Sequence, residues 1–195
     1  STTMEFKEVI KSRRSCRAFD PEPIPQDQLA AILEAGQWAP SPMHALPWEY
    51  IVVTDTGVKA KIREVSEAAK KAVLDGGGPG FAAKYSMDFL EQAPVLIVVV
   101  FDPTKKGLGD FFNQAYGAIQ AVSACVQNMM LAAAEYGLGS LFFTWFDPEK
   151  MQAVLNIPQH LEIAAIVPIG KPKGELKAPP RPEPKIHQDG FSASE

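Results

Sequence analysis

The sequence predicts one domain of mixed α and β structure, and three stretches carry that prediction. Phe111 to Tyr136 has no charged residue before Glu135 and no proline, and it is rich in Ala, Leu and Met, which favour helix. A helix over that whole stretch would be about 40 Å long. Being apolar around most of its circumference, it is expected to be buried on most sides. Pro94 to Phe101 (PVLIVVVF) is a continuous β-branched run, the pattern of a strand buried on both faces. Between Gly57 and Leu74, Val58, Ile62, Val65, Ala69 and Ala72 step by fours and threes, which marks an amphipathic helix.

The chain has 195 residues, 46% of them apolar and 22% charged, with a net charge of -4. That length suffices for one domain with its own core, here residues 1–195. A slightly acidic chain with no long basic run is a poor candidate for nucleic-acid binding. Asn113, Gln114, Gln120, Ser123, Gln127 and Asn128 argue against a membrane span in the long helix. The two cysteines, Cys16 and Cys125, form no CxxC, and the three histidines have no metal-ligand spacing. With no basic-then-apolar signal pattern at the start, a reduced cytoplasmic setting is expected.

In chain order, Phe6, Val9 and Ile10 give Met4 to Lys11 one apolar helical face. Ser12 to Phe19 (SRRSCRAF) follows. If it is extended, Arg13, Ser15 and Arg17 point the same way. Two guanidiniums and a hydroxyl on one side suit a phosphate and a second electron-rich group, although a solvated basic loop reads the same way. Cys16 either has a lowered pKa beside the arginines or packs on the opposite side. Pro25 starts a helix whose buried face is Leu29, Ile32, Leu33 and Gly36, and Pro40 ends it. Ala39 to Trp48 is a rigid, nearly uncharged loop of the kind that positions function, and Trp48 to Thr54 reads as the first strand. Asp75 to Gly80 is glycine-rich but lacks the Lys-Ser/Thr of a P-loop, so it reads as a hinge. Phe81 to Gln92 would then be a mobile cover, with Phe81 and Tyr85 as its aromatics. Gly137 and Gly139 end the long helix. Leu141 to Phe146 is expected as a short strand, Pro148 to Leu155 as a helix and Leu161 to Ile169 as a buried strand. Residues 172–195 form a Pro-rich extension expected to lie across another surface. Asn113, Gln120 and Gln127, seven apart, would make one amide stripe on the long helix, for a subunit interface or a polar ligand.

The order RRSxRxF, a helix, then APS-x4-PW running into a strand resembles the FMN-dependent nitroreductase family. Tyr136-Gly137-Leu138-Gly139-Ser140 after the neutral helix and the late Ile169-Gly170-Lys171-Pro172 agree, so the similarity covers nearly the whole chain. The resemblance implies an α+β fold with a central, mostly antiparallel mixed sheet flanked by helices. It also implies a long central helix at the interface of an intertwined homodimer, the C-terminal extension embracing the partner.

For the cofactor, FMN, the resemblance implies phosphate and ribityl contacts from Arg13, Ser15 and Arg14, and a further phosphate contact from Arg181. Arg17 occupies the family's cationic position at the pyrimidine end of the flavin, where negative charge gathers on reduction. A backbone N–H of Thr144 or Trp145 would face flavin N5. Pro40, Ser41, Pro42, Met43 and His44 would reach the flavin from the second subunit. His44 stands where Asn is frequent and Leu46 where Gln is frequent, so a polar contact at Leu46 is lost. Trp145 either narrows the substrate cavity or faces the core. No side chain need act as nucleophile or acid; NADH or NADPH would reduce the flavin and leave, and a nitroaromatic, quinone or similar flat acceptor would take its place. No GxGxxG follows a strand, in keeping with a nicotinamide that binds transiently. The alternatives are a flavin-sequestering protein without turnover, a specialised relative such as a reductive dehalogenase, and a purely structural dimer.

Overall fold

The apolar run at the centre of the chain becomes β2 (Val95–Phe101), every residue of which is buried. In the computed structural model, which describes residues 4–192, it is flanked by β1 (Trp48–Val53) and β4 (Glu162–Gly170). The short β3 (Gly139–Ser140) completes the sheet order β1-β2-β4-β3. All three ladders are antiparallel, and an isolated parallel bridge joins Ser15 to Ser140 at the β3 edge. The expected α+β architecture with a mostly antiparallel sheet is the one found. Residues 1–3 and 193–195 of the expected domain lie outside the described residues.

Side-chain alternation along β2 divides the core into two layers. Val95, Ile97, Val99 and Phe101 join one cluster with Leu29 and Ile32 of α2 (Gln26–Gln37) and with Val122, Cys125, Val126 and Met129 of α5 (Gly117–Glu135). Leu96, Val98 and Val100 join the other. That second layer holds Ile62 of α3 (Thr56–Asp75), Phe89 and Leu90 of α4 (Phe89–Gln92) and Met151 of α6 (Pro148–Val154). The helix ends follow local chemistry. Asp55 accepts a hydrogen bond from the Val58 N–H at 2.9 Å, and Asp147 accepts from Glu149 and Lys150 ahead of Pro148. At the end of α5, Gly137 takes φ 74°, and the Leu138 N–H reaches the Ala133 carbonyl at 2.9 Å, closing a Schellman turn.

Several expectations are corrected. The long helix begins at Gly117, not Phe111. A 3-10 turn (Gly109–Phe112) and Asn113 in the left-handed region at φ 54° break the periodicity first. Asn113 therefore leaves the amide stripe, which is reduced to Gln120 and Gln127, both exposed. The helix is long and apolar enough to cross a membrane by length and composition, yet ten of its residues are buried inside this fold. It is buried on most sides, as expected, with one outward flank at Ile119, Gln120 and Gln127.

The strand expected over Leu141 to Phe146 is confined to Gly139–Ser140 plus a single bridge between Phe143 and Ile166. The register does not change: Phe143 and Ile166 exchange N–H···O bonds of 3.0 and 2.9 Å, in line with the pairing of Gly139 to Gly170. Between them Leu141 falls opposite Pro168, which has no N–H to give, and the ladder lapses there.

Helix α1 (Phe6–Ser12) buries only Val9, while Phe6 and Ile10 are exposed. Nor is Phe81 to Gln92 a cover throughout: Ala82, Met87, Phe89 and Leu90 are fully buried. The second half of that segment is core, anchored by Lys59, whose Nζ donates to the carbonyls of Glu91 at 3.3 Å and Ala93 at 2.9 Å. The outer part of the segment is Phe81, Ala83 and Lys84 of the 3-10 turn Gly80–Lys84, followed by the half-buried Tyr85. The Pro-rich extension begins paired, with Asp20 and Lys173 N–H groups bonded to the Lys171 and Ala18 carbonyls, and is exposed from Lys177 to Ser192.

Candidate functional site

The basic segment is held extended by the sheet edge. The Cys16 N–H donates to the Ser140 carbonyl at 2.9 Å, and Cys16 itself is fully buried. Burial pushes its thiol pKa up, which outweighs the lowering by the neighbouring Arg17. Of the two alternatives for Cys16, inward packing is the one found. Ser15 and Arg17, on either side of it, are exposed, as alternation requires.

At Arg13, the C-cap of α1, and its neighbour Arg14 the alternation no longer separates the side chains. Arg13 and Arg14 are both half-buried and both line one cavity of about 440 Å³ with Ile10, Lys11, Gln127 and Arg181. Arg14 Nη1 donates to the Arg13 carbonyl at 2.6 Å. The Arg13 pKa is lowered by burial first, then by the charges of Arg181 and Arg14. Among the described residues none of these guanidiniums is in an ion pair. A concave site with three unneutralised guanidiniums is complementary to an anion. Gln127, from the amide stripe, is in its wall; Lys11 was not singled out by sequence, and its only signal was its place at the end of α1 just before the arginines.

Arg17 does not enter that cavity. Its Nε donates to the Tyr85 hydroxyl oxygen at 3.2 Å, and its guanidinium carbon lies 5.8 Å from the centre of the Tyr85 ring. Tyr85 in turn packs on Trp145 with centroids 5.2 Å apart, and Trp145 meets Phe81 edge-on at 6.2 Å. Trp145 is half-buried, resting on the second core layer while forming a wall with these aromatics. Thr144 beside it is exposed, its carbonyl accepting from the Phe146 N–H at 3.0 Å.

Pro40, Ser41 and Pro42 lie at the other end of the exposed flank of α5, lining a smaller hollow of about 240 Å³ with Gln120 and Ala124. The Ser41 hydroxyl accepts the Leu46 N–H at 3.0 Å, fixing the loop across five residues. Met43, His44 and Leu46 all have positive φ, at 54°, 51° and 44°, a costly choice for residues with side chains. Within one chain, then, the arginine cavity and the Pro40–His44 loop are separate, strung along one helix face by Gln127 and Gln120.

The Nitroreductase family model matches residues 10–171, most of the chain. The chain belongs to the nitroreductase family. Among its nitroreductase-family relatives, it is 27% identical to an iodotyrosine deiodinase of Thermotoga neapolitana, covering 94% of this chain and 97% of the relative. It is 28% identical to an NADH dehydrogenase of Thermus thermophilus, covering 88% and 89%. A crystal structure of oxidized iodotyrosine deiodinase bound to FMN and 3-iodo-L-tyrosine superposes with a TM-score of 0.84 at 27% identity, covering 96% of this chain and all of that one. A nitroreductase with bound FMN from Bacteroides fragilis gives 0.71 at 28% identity over 99% of this chain and all of that one. The nitroreductase fold thus carries both nitroreductase-named and deiodinase-named proteins, and the local chemistry must distinguish them.

Proposed function

We propose that this protein is an FMN-dependent oxidoreductase that uses NADH or NADPH to reduce small, flat electrophiles such as nitroaromatics or quinones. The observation that carries the reading is the cavity in which Arg13, Arg14 and Arg181 converge without a carboxylate. A cation cluster that lowers the pKa of its own member fits a bound phosphate, which would relieve the repulsion. Membership of the family and its FMN-bound structures support the same cofactor.

When bound, FMN would supply the two-electron redox chemistry. The protein's part is binding, orientation and charge. Arg13, Arg14, Arg181 and the Ser15 hydroxyl would hold the phosphate and ribityl chain. Arg17 would offset negative charge at the pyrimidine end. The backbone N–H of Thr144 or Trp145 would face N5, and Trp145, Phe81 and Tyr85 would wall the acceptor's seat and exclude water. The Pro40–His44 loop of a second copy would complete the site. The outward flank of α5, with Ile119 exposed, and the exposed Phe6, Ile10, Phe111, Phe112 and Tyr116 support such a homodimer.

An anaerobic visible spectrum before and after NADH or NADPH tests the reading. A flavin spectrum that bleaches supports it. Flavin that stays oxidised points to a sequestering protein, and a protein that takes up no FMN sinks both. The TM-score of 0.84 to a deiodinase complex favours a second reading, reductive dehalogenation. Halide release from a halogenated phenol by the chemically reduced protein, with no nicotinamide turnover, would select it.

A further inference from the structure

We infer that Tyr85 is the residue that positions Arg17: its hydroxyl takes up the guanidinium Nε and its ring lies beside the guanidinium, so that the two Nη groups are presented outward as a fixed fork. The inference rests on the proposed FMN reading for what that fork meets.

Arg17 is an exposed side chain on an extended segment, and left to itself it would sample many rotamers. The backbone beneath it is fixed, by the Cys16 N–H on Ser140 and by the Lys173 N–H on the Ala18 carbonyl. Among the described residues its outer end is held by Tyr85 alone, through the 3.2 Å hydrogen bond and the 5.8 Å approach to the ring. Among the described residues, the Nη groups of Arg17 make no side-chain hydrogen bond and Arg17 is in no ion pair.

Tyr85 is itself immobilised on four sides. Lys70 Nζ donates to its carbonyl at 2.6 Å, and its N–H donates to the Ala82 carbonyl at 3.3 Å. Its ring meets the fully buried Phe89 edge-on at 6.1 Å and Trp145 at 5.2 Å. A rigid acceptor holding a flexible cation is preorganisation: the ordering cost of Arg17 is met before any ligand arrives. Because Tyr85 also touches Trp145, the cation and the aromatic wall share one residue. A planar fork held in place favours the more negative form of whatever it faces, so the effect falls more on reduced than on oxidised FMN.

The test is Tyr85→Phe, which keeps the ring and deletes the acceptor, in the full-length FMN-loaded protein and in the apo protein. In the loaded protein we expect the midpoint potential to fall, reduced FMN being bound roughly tenfold less tightly relative to oxidised, about 30 mV for a two-electron couple. In the apo protein, 15N-arginine spectra should show the Arg17 Nε–H exchanging slowly in the wild type and rapidly in Tyr85→Phe. The potential shift should vanish when Tyr85→Phe is made on an Arg17→Ala background, as a double-mutant cycle requires of residues acting through each other. A shift that persists there means Tyr85 acts independently of Arg17, and overturns the inference. So does a Tyr85→Phe protein with wild-type potential and Nε–H protection. If wild-type protein takes up no FMN, the functional reading fails as well; FMN uptake with an unchanged Tyr85→Phe potential removes this inference alone.

Discussion

Arg13 and Arg181 line the same cavity from opposite ends of the chain, and the charge of Arg181 disfavours the charge on Arg13. A guanidinium remains protonated throughout the ordinary pH range, so raising the pH does not relieve that repulsion. With a folded pKa below the unfolded one, Arg13 carries the cost at every pH under its folded pKa, which includes all working conditions. An anion relieves it instead. Arg181→Ala is therefore expected to weaken FMN binding by about 2 kcal/mol, the scale of a charged hydrogen bond. It should leave the apo protein no less stable. Titration of apo protein with FMN and a thermal melt of the same sample check the two halves.

Gly36 is where α2 crosses α5. A Cβ there would lie 2.6 Å from Tyr50 Oη and 3.0 Å from both Cys125 Sγ and Met129 Cγ. Gly36→Ala gains helix propensity but overpacks the crossing, and a net loss of about 1–3 kcal/mol is expected by urea denaturation.

The same crossing sets a pH dependence. Burial pushes the Cys125 thiol up from 9.0 to about 11, and the hydrogen bond with Tyr50 only partly opposes it. The folded state holds the neutral thiol while the unfolded state releases its proton sooner. The associated stability is full below pH 9 and is lost as pH rises towards about 11. Stability should fall by about 2 kcal/mol across that window. In Cys125→Ala the absolute stability is lower but the slope over the window is shallower. Neither cysteine should react with iodoacetamide at pH 8 until the protein is unfolded, because both thiols are buried and raised.

Lys59 is buried with its ammonium on two carbonyls, and desolvation lowers its pKa. Lys59→Met keeps the stem's packing and removes the donor from the Glu91 and Ala93 carbonyls. A loss of about 2 kcal/mol is expected, with early hydrogen exchange over Phe89 to Ala93.

Most of the architecture was legible because its signals are local. Val95 to Phe101 announces itself as a two-faced strand, and Val58 to Ala72 as one side of a helix. What was not legible depends on backbone turns that composition does not show or on partners distant in sequence. The start of α5 is set by the left-handed turn at Asn113, which a composition of helix formers does not reveal. The break after Ser140 is caused by Pro168 on another strand. Phe6 and Ile10 have helical spacing, but spacing does not say whether another surface covers them. At the site, the SRRSCR segment gave the alternation of Ser15, Cys16 and Arg17 correctly. The gathering of Arg181 with Arg13 came from resemblance alone, and the Arg17–Tyr85 contact had no sequence signal.

The left-handed conformations at Met43, His44 and Leu46 also bear on engineering. The shape of this loop comes from its backbone, with Pro42 wedged against Gly107 and Gly117 and Ser41 clasping Leu46. In the single chain the side chain of Met43 is 78% exposed and contributes little to that shape. Positions 43 and 44 are thus natural targets for combinatorial libraries. Glycine or asparagine should be enriched there when selection is for thermal tolerance, and valine and isoleucine purged, whatever the substrate used in the screen.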